Sequence, residues 1–468
     1  MSKKNKITIS FGGNKLRFLG VLLILFISTS YGYTNTRSFF SNYEISYGIH
    51  TVVFLFGSLI FSFGLYKKRM KRVYIVFIAL FFISYLLKFY LIIHFTYFSD
   101  LTIYRLALYS PRILKYMTQE SLIDSFRLSS TTYFCLSVLA LFDLHSIYEE
   151  SKKNMETRRI ASKYNIVSMS LIVLICFIII SLARKILSEN NQDSYFIVLS
   201  TYFVPLLYIY LMNISLSSGY LYLSKKIAYM FIFTGVVQFV LFTSKLYIVL
   251  PILWIMIFQY LYGVKFINNK YIFVFFIPLI VLYPILNIYR EVALDGEGQI
   301  LLSVIERFMD AEGNHLITGI LSVFYRLVGI DSLLVLIAEK GSAYSSYGLL
   351  NVLANEKSIS HILTYDIIGY DFVMGVAPTL LGQIYFTTGH IIISALIFTL
   401  YVYLVSNAFS KLIRQRSMFM KTLAVYLIVY AVIYYNEGVL MSNIKYQAFG
   451  LLMFSVFYHL FSNKKINL

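Results

Sequence analysis

The chain has 468 residues, 59% of them hydrophobic and only 13% charged, with a mean hydropathy of +0.73. A soluble domain of this size carries roughly 25% charged residues, so the composition excludes a soluble enzyme. The net charge is +18, but the basic residues sit in short segments flanking apolar runs, as topology signals do, which argues against a nucleic-acid partner.

The N-terminus, MSKKNKITISFGGNKLRF, is basic and leads into an apolar run from Leu19 to Tyr31. No small-residue cleavage signature follows it, so it reads as an uncleaved first span. Further apolar runs lie at about 49–66, 73–95, 129–148, 166–187, 195–214, 227–243, 246–263, 271–288, 388–408, 420–436 and 446–462. Most of these have the length needed to cross a hydrocarbon core of about 30 Å. The pattern predicts an all-α polytopic membrane protein with about twelve transmembrane helices, forming one integral membrane domain over residues 1–468.

The loops set the orientation. With a cytoplasmic N-terminus, the inside segments hold Lys3, Lys4, Lys6, Lys15 and Arg17, then the KKRMKR run from Lys67 to Arg72. Lys152, Lys153, Arg158, Arg159 and Lys163 follow, as do the Lys225–Lys226 pair, Lys265 with Lys270, Lys411 with Arg414, and Lys464 with Lys465. Outside loops such as 189–194 and 437–444 are nearly free of basic residues, so both termini are expected in the cytoplasm. A second outside loop, about 96–128, would carry Arg105, Arg112, Lys115 and Arg127.

The largest connection, 289–387, is expected to be an extracytoplasmic loop. It carries 11 of the 22 acidic residues, from Glu291 to Asp371. Within it, Leu316–Ile337 is long and apolar enough to be taken for a span, yet Arg326 and Asp331 lie near its middle. Each costs about 2.5–3.5 kcal/mol at a bilayer centre, so the segment reads as a helix lying on, or dipping into, the outer membrane face. The stretch VAPTLLGQIYFTTG, 376–389, would make an overlong helix with the span behind it. Pro378 and Gly382 mark a kinked or re-entrant entry there.

This loop supplies the candidate chemistry. Arg290 closes a span, and Arg307 and Arg326 follow. A guanidinium keeps its charge and forms forked contacts to phosphate oxygens, so two or three at the outer interface make a pyrophosphate clamp. Lys245, in the FTSK turn between two spans, is a further outside cation. Snorkelling to headgroups is the bland alternative for each. For a general base, Asp331 lies five residues after Arg326, whereas His315 has the more suitable pKa; either fits the role. Lys88 is a mid-span charge explained equally by function, by snorkelling or by an internal pair, and Asp143, at a helix end, reads as structural. Cys135 and Cys176 sit inside apolar runs and read as small packing residues. No Walker loop, dinucleotide fingerprint, zinc motif or calcium loop is present, so no metal or other cofactor is expected. An outside-facing enzyme then needs a substrate that carries its own activation, such as a lipid pyrophosphate.

The span pattern, the large outside loop, FYRLVGIDSLL and then GVAPTLLGQIYFTTG together resemble bacterial O-antigen polymerases of the Wzy type, with the matching residues mainly between Arg290 and Gly389. Arg290 and Arg326 look like that family's important outside arginines. The family also has an arginine followed by a glycine about eleven positions on, and Arg307 with Gly319 departs from that spacing by one residue. The resemblance implies a fold similar to C-type glycosyltransferases in the inner membrane, and metal-independent glycosyl transfer on the periplasmic face during lipopolysaccharide biosynthesis. It implies undecaprenyl-pyrophosphate-linked oligosaccharides as substrates, with membrane lipids, a chain-length regulator and a flippase of the same pathway as partners. Rival readings are a flippase for lipid-linked oligosaccharide, which would show internal repeats and a charged central path, and a ligase using the same donor.

Overall fold

The computed structural model describes residues 26–90 and 93 apart from 28, 35 and 67–69, and residues 116, 118–143, 163–188, 202–242, 246–264, 302, 303, 305, 306, 330–338, 379–415, 417–437 and 444–462. The predicted first span is described only from residue 26 onward, and the predicted span at 271–288 lies outside these residues. All regular structure among the described residues is helical, with no strand. Among the described residues, five helices are long and apolar enough to cross a membrane: Ser41–Tyr66, Arg72–Tyr90, Gln119–Phe142, Tyr164–Ile186 and Ile391–Ile413.

The first helix, α1 (Glu44–Tyr66), shows why these segments pack as they do. Its buried residues are Tyr47, Thr51, Phe54, Gly57, Ser58, Ser62 and Gly64, a largely small-residue face at helical spacing. Ile45, Ile49, Val52, Phe56, Leu59 and Phe63 lie exposed on the opposite side. Small residues let helix backbones approach in a lipid environment, where large apolar side chains gain little by leaving the lipid tails. A Cβ at Gly57 would lie 2.9 Å from the Tyr133 ring and 3.2 Å from the Phe134 Cα, so the glycine sets the α1–α3 contact.

Helix α2 (Arg72–Phe81) runs on through a π-helical turn, Phe82–Leu87, and stays helical to Tyr90. Helix α3 (Gln119–Phe142) begins ten residues before the apolar run predicted at 129–148. Thr118 and Ser121 form a capping box, with Ser121 N–H donating to Thr118 Oγ1 at 3.1 Å and Thr118 N–H to Ser121 Oγ at 3.1 Å. The first half of α3, QESLIDSFRLSS, has too many hydroxyls to register as a span. Those serines are nevertheless buried, and hydroxyls bond back to their own helix: Ser125 Oγ donates to the Leu122 carbonyl at 2.7 Å and Ser130 Oγ to the Arg127 carbonyl at 3.2 Å, as does Thr132 Oγ1 just beyond to the Leu128 carbonyl at 2.7 Å. Arg127, expected in an outside loop, is therefore a helical residue.

The remaining described helices are α4 (Lys163–Ser188), α5 (Val204–Ser217), α6 (Leu221–Phe242), α7 (Leu246–Tyr262), α8 (Ile330–Ala338), α9 (Leu380–Thr388), α10 (Ile391–Ile413), α11 (Met418–Glu437) and α12 (Ile444–Ser462). Helix α3 packs against α1, α2, α8 and α10, while α5, α6 and α7 form a second group against α4 and α11. Trp254 of α7 joins that group to α11 through Tyr426 and Tyr430, at ring separations of 5.9 and 5.7 Å.

Polar residues knit one end of the molecule together. Lys71, preceding α2, donates to Asp143 Oδ2 at 2.6 Å, and the Tyr74 hydroxyl donates to the same oxygen at 2.5 Å. Asp143 is thus the structural helix-end residue its position predicts. Arg72 donates to the carbonyls of Tyr260 and Leu261 in the last turn of α7, beside the left-handed Gly263 (φ +66°) that ends the helix. This basic end gathers the start of α2 with the ends of α3 and α7.

Candidate functional site

The opposite end of α2 is built differently. The π turn inserts one residue into the helical repeat and rotates everything after it by about 100° relative to an uninterrupted helix. Ser84, Tyr85, Leu86, Lys88 and Phe89 are all buried as a result of this packing. Tyr85 stacks on Phe81 at 4.5 Å, and Phe81 in turn meets Phe398 of α10 at 5.9 Å. The Tyr85 hydroxyl faces Thr379, the first residue of the segment that leads into α9.

Thr379 is fully buried and caps α9, its Oγ1 accepting the Gly382 N–H at 3.0 Å. The break predicted over 376–389 is present at its last residue, while Pro378 lies outside the described residues. Helix α9 ends at Gly389 (φ +66°), whose N–H donates to the Tyr385 carbonyl at 2.7 Å, and α10 starts two residues on. Gly382 is instead a packing residue. A Cβ there would lie 2.7 Å from Leu336 Cδ1 and 2.9 Å from Thr379 Oγ1, so its absence lets α8 lie directly on α9.

Helix α8 is the described part of the segment expected on the membrane surface. Leu333, Leu334, Val335 and Leu336 have no exposure, and the helix packs between α3 and α9. A helix lying flat on a membrane keeps a wet face; one apolar all round is buried. The surface position is therefore corrected for residues 333–337, whereas a segment dipping inward fits them. Asp331 falls in the first turn of this helix. Arg290, Arg307, His315, Arg326 and Lys245 lie outside the described residues, so of the candidate site residues only Asp331 is placed, on α8.

Lys88 is the charged residue nearest this convergence along α2. It lies three positions beyond Tyr85 and is 2% exposed, which rules out snorkelling into lipid as its explanation. Sixteen residues of helix separate it from Arg72, about 24 Å at 1.5 Å per residue. That rise places Lys88 near the end of α2 opposite the basic one.

A second polar patch lies on the α1–α3 side. Arg127 Nη1 donates to Asp124 Oδ1 at 3.0 Å, and His50 Nδ1 is 3.2 Å from Ser130 Oγ. The Phe89–Phe126 stack, at 4.7 Å, links the helix bearing Lys88 to the helix bearing Arg127. The two cations differ in setting: Lys88 is interior, whereas the Arg127 side chain is 37% exposed. Among the described residues no three His, Cys, Asp or Glu side chains converge as a metal site would require.

The arrangement offers two short buried helices packed on one another, one of them carrying Asp331, with the π turn of α2 meeting Thr379 through Tyr85. Sequence reasoning noticed Lys88 but did not select it; the signal was a lone lysine inside an apolar run. Thr379 and Tyr85 carry no comparable signal. Comparison with protein-family models, with curated proteins and with solved structures finds no match to this chain.

Proposed function

We propose that this protein polymerises lipid-pyrophosphate-linked oligosaccharide repeat units by glycosyl transfer at the extracytoplasmic face of a bacterial inner membrane. The observation that most supports this reading is the pair of short buried helices, α8 and α9, packed on one another inside the bundle, with Tyr85 of the π turn facing Thr379 at the head of α9. Non-uniform helices at membrane depth are tolerated where protein or a water-filled cavity covers them, and a buried ionisable residue there marks a site by default.

In the proposed reaction an acceptor sugar hydroxyl attacks the anomeric carbon of the donor glycan. The new glycosidic bond forms as the bond from that carbon to the pyrophosphate oxygen breaks. The hydroxyl proton passes to Asp331 or His315, and the leaving polyprenyl pyrophosphate departs with the electron pair. Arg290 and Arg326 stabilise the charge developing on that leaving group, with Arg307 and Lys245 as further cations around it. The donor carries its own activation, so no nucleotide cofactor enters.

The test is surface-glycan chain length in cells carrying Arg326→Ala, with protein level and membrane insertion measured in parallel. Normal protein with a surface lipid bearing a single repeat unit is the expected outcome. Parental chain lengths would remove Arg326 from the site. Loss of all surface repeat units would overturn polymerisation in favour of a flippase or a ligase.

A further inference from the structure

We propose that the crevice between α4, α5, α6 and α7 holds the first isoprene units of the lipid carrier, with the Gln238 amide donating to its phosphate ester. This rests on the polymerase reading and adds to it a seat for the carrier, away from the large loop.

The crevice is apolar with one unmet donor. Phe177, Phe231, Leu250 and Trp254 line it, and α6 and α7 contribute Gly235 and Pro251 to its walls. Two polar side chains line the same space, Thr234 and Gln238. Thr234 Oγ1 already donates to the Phe231 carbonyl, at 2.6 Å. Gln238 is 5% exposed, and among the described residues its Nε2 has no hydrogen-bond partner. A buried amide N–H without an acceptor opposes folding, so such groups are rarely left in a protein interior. An apolar ligand that brings one oxygen acceptor removes that penalty, whereas a pure hydrocarbon leaves it in place.

Position selects the ligand. Arg72 holds the last turn of α7 at the basic end, so the start of α7 and the end of α6 lie at the opposite end. Gln238 is four residues before Phe242, where α6 ends, a rise of about 6 Å. Lys245, one of the candidate phosphate-binding cations, is three residues further along the chain. A carrier whose tail points toward Trp254 thus brings its phosphate end to Gln238, next to the connection that carries a cation. The walls also favour an isoprenoid over an acyl chain. Rings and a proline present rigid surfaces, and a chain stiffened by double bonds and methyl branches loses less freedom on seating than a saturated one. Phosphate oxygens accept from an amide N–H as well as from a cation. No bond is made or broken in the crevice; Gln238 holds the carrier in place.

The test uses the purified full chain in detergent, with polyprenyl monophosphate and phosphatidic acid as probes, which share a phosphate monoester and differ in the tail. Dissociation constants are read from ligand-induced shifts in Tm for the parent, Gln238→Met and Gly235→Leu. The parent should bind the polyprenyl probe more tightly than phosphatidic acid. Gln238→Met should weaken that binding about three- to tenfold, and Gly235→Leu, which fills the crevice, should abolish it. Without ligand, Gln238→Met should raise Tm because the unpaired amide is gone, so this variant carries the test even if Gly235→Leu does not fold. A lowered Tm in unliganded Gln238→Met would make the amide a structural partner and overturn the proposal. Equal affinity for the polyprenyl probe in the parent and Gln238→Met would overturn it too, and both results leave the polymerase reading intact. Equal, Gln238-dependent binding of the two probes would make the crevice a general lipid seat and overturn the carrier. A parent that binds neither probe would overturn the polymerase reading as well.

Discussion

The two ends of α2 carry buried lysines in different backbone settings. Lys71 is held by Asp143, which also accepts from Tyr74, while Arg72 beside it closes the last turn of α7. The helices there end regularly, and each cation has a protein oxygen assigned to it. At the other end the helix passes through a π turn whose Tyr85 faces Thr379, and two nine-residue helices, α8 and α9, pack on one another. The contrast separates a staple from a candidate site: a buried ion pair between regular helix ends fixes register, whereas irregular, closely packed backbone at membrane depth is covered by protein or lines a cavity.

The sharpest way to break this comparison is to remove the staple. Asp143→Ala leaves Lys71 buried without the carboxylate that holds it; the Lys71 side chain is 3% exposed and Asp143 17%. Breaking one half of such a pair costs about 3 kcal/mol, and the Tyr74 hydroxyl loses its acceptor as well. Tm in detergent should fall by several degrees, with glycan chain length at permissive temperature unchanged. A variant that folds normally yet loses polymerisation would make the basic end part of the site and end the distinction.

Gly382→Leu probes the irregular end. Its side chain would enter the space held by Leu336 and Thr379, where even a Cβ is too close. Overpacking of this kind costs about 1–3 kcal/mol. The expected loss is larger in function than in stability, because the α8–α9 contact shifts the helix that carries Asp331. Thermal unfolding and chain length measured on the same preparations separate the two, and a purely thermal effect would demote α8 and α9 to scaffold.

Arg72→Ala should have a smaller consequence. It removes two contacts to the terminal carbonyls of α7 and a guanidinium 5.6 Å from the Tyr260 ring. Capping and cation–π terms at such a partly exposed position are each about 0.5–1 kcal/mol, so Tm should drop by a few degrees with no change in chain length.

How much of this was legible depends on which physical quantity each element advertises. Helices α1, α4, α10 and α11 lie close to the apolar runs that announce them, because continuous hydropathy is what a membrane selects. The first half of α3 was misread for the converse reason. Its serines are buried in the protein, and those at 121, 125 and 130 donate their hydroxyls to backbone carbonyls, so sequence hydropathy underestimates how well they pack. The break before α10 was legible as an excess of length. Its place was not, since Gly382 is used for close packing and Gly389 for the left-handed turn, and composition alone does not distinguish the two uses. Asp143 was legible as a helix-end carboxylate following a basic segment. Lys88 was visible as a charge, but its burial follows from the π turn, which no residue pattern in FISYLL announces.

The smallest effect is expected at Arg127. Its pair with Asp124 joins residues one turn apart on the same helix, and the guanidinium is 37% exposed. Such pairs contribute about 0.3–0.5 kcal/mol, so Arg127→Ala should shift Tm by no more than a degree or two. The value of this variant lies in its place: Arg127 follows Phe126, whose ring stacks on Phe89 of α2 at 4.7 Å. Glycan chain length should stay parental, because the pair is local to one helix and its loss leaves the ring contact between α2 and α3 intact. Shortened chains without a loss of Tm would put this patch of α3 in the site and extend it beyond α8 and α9.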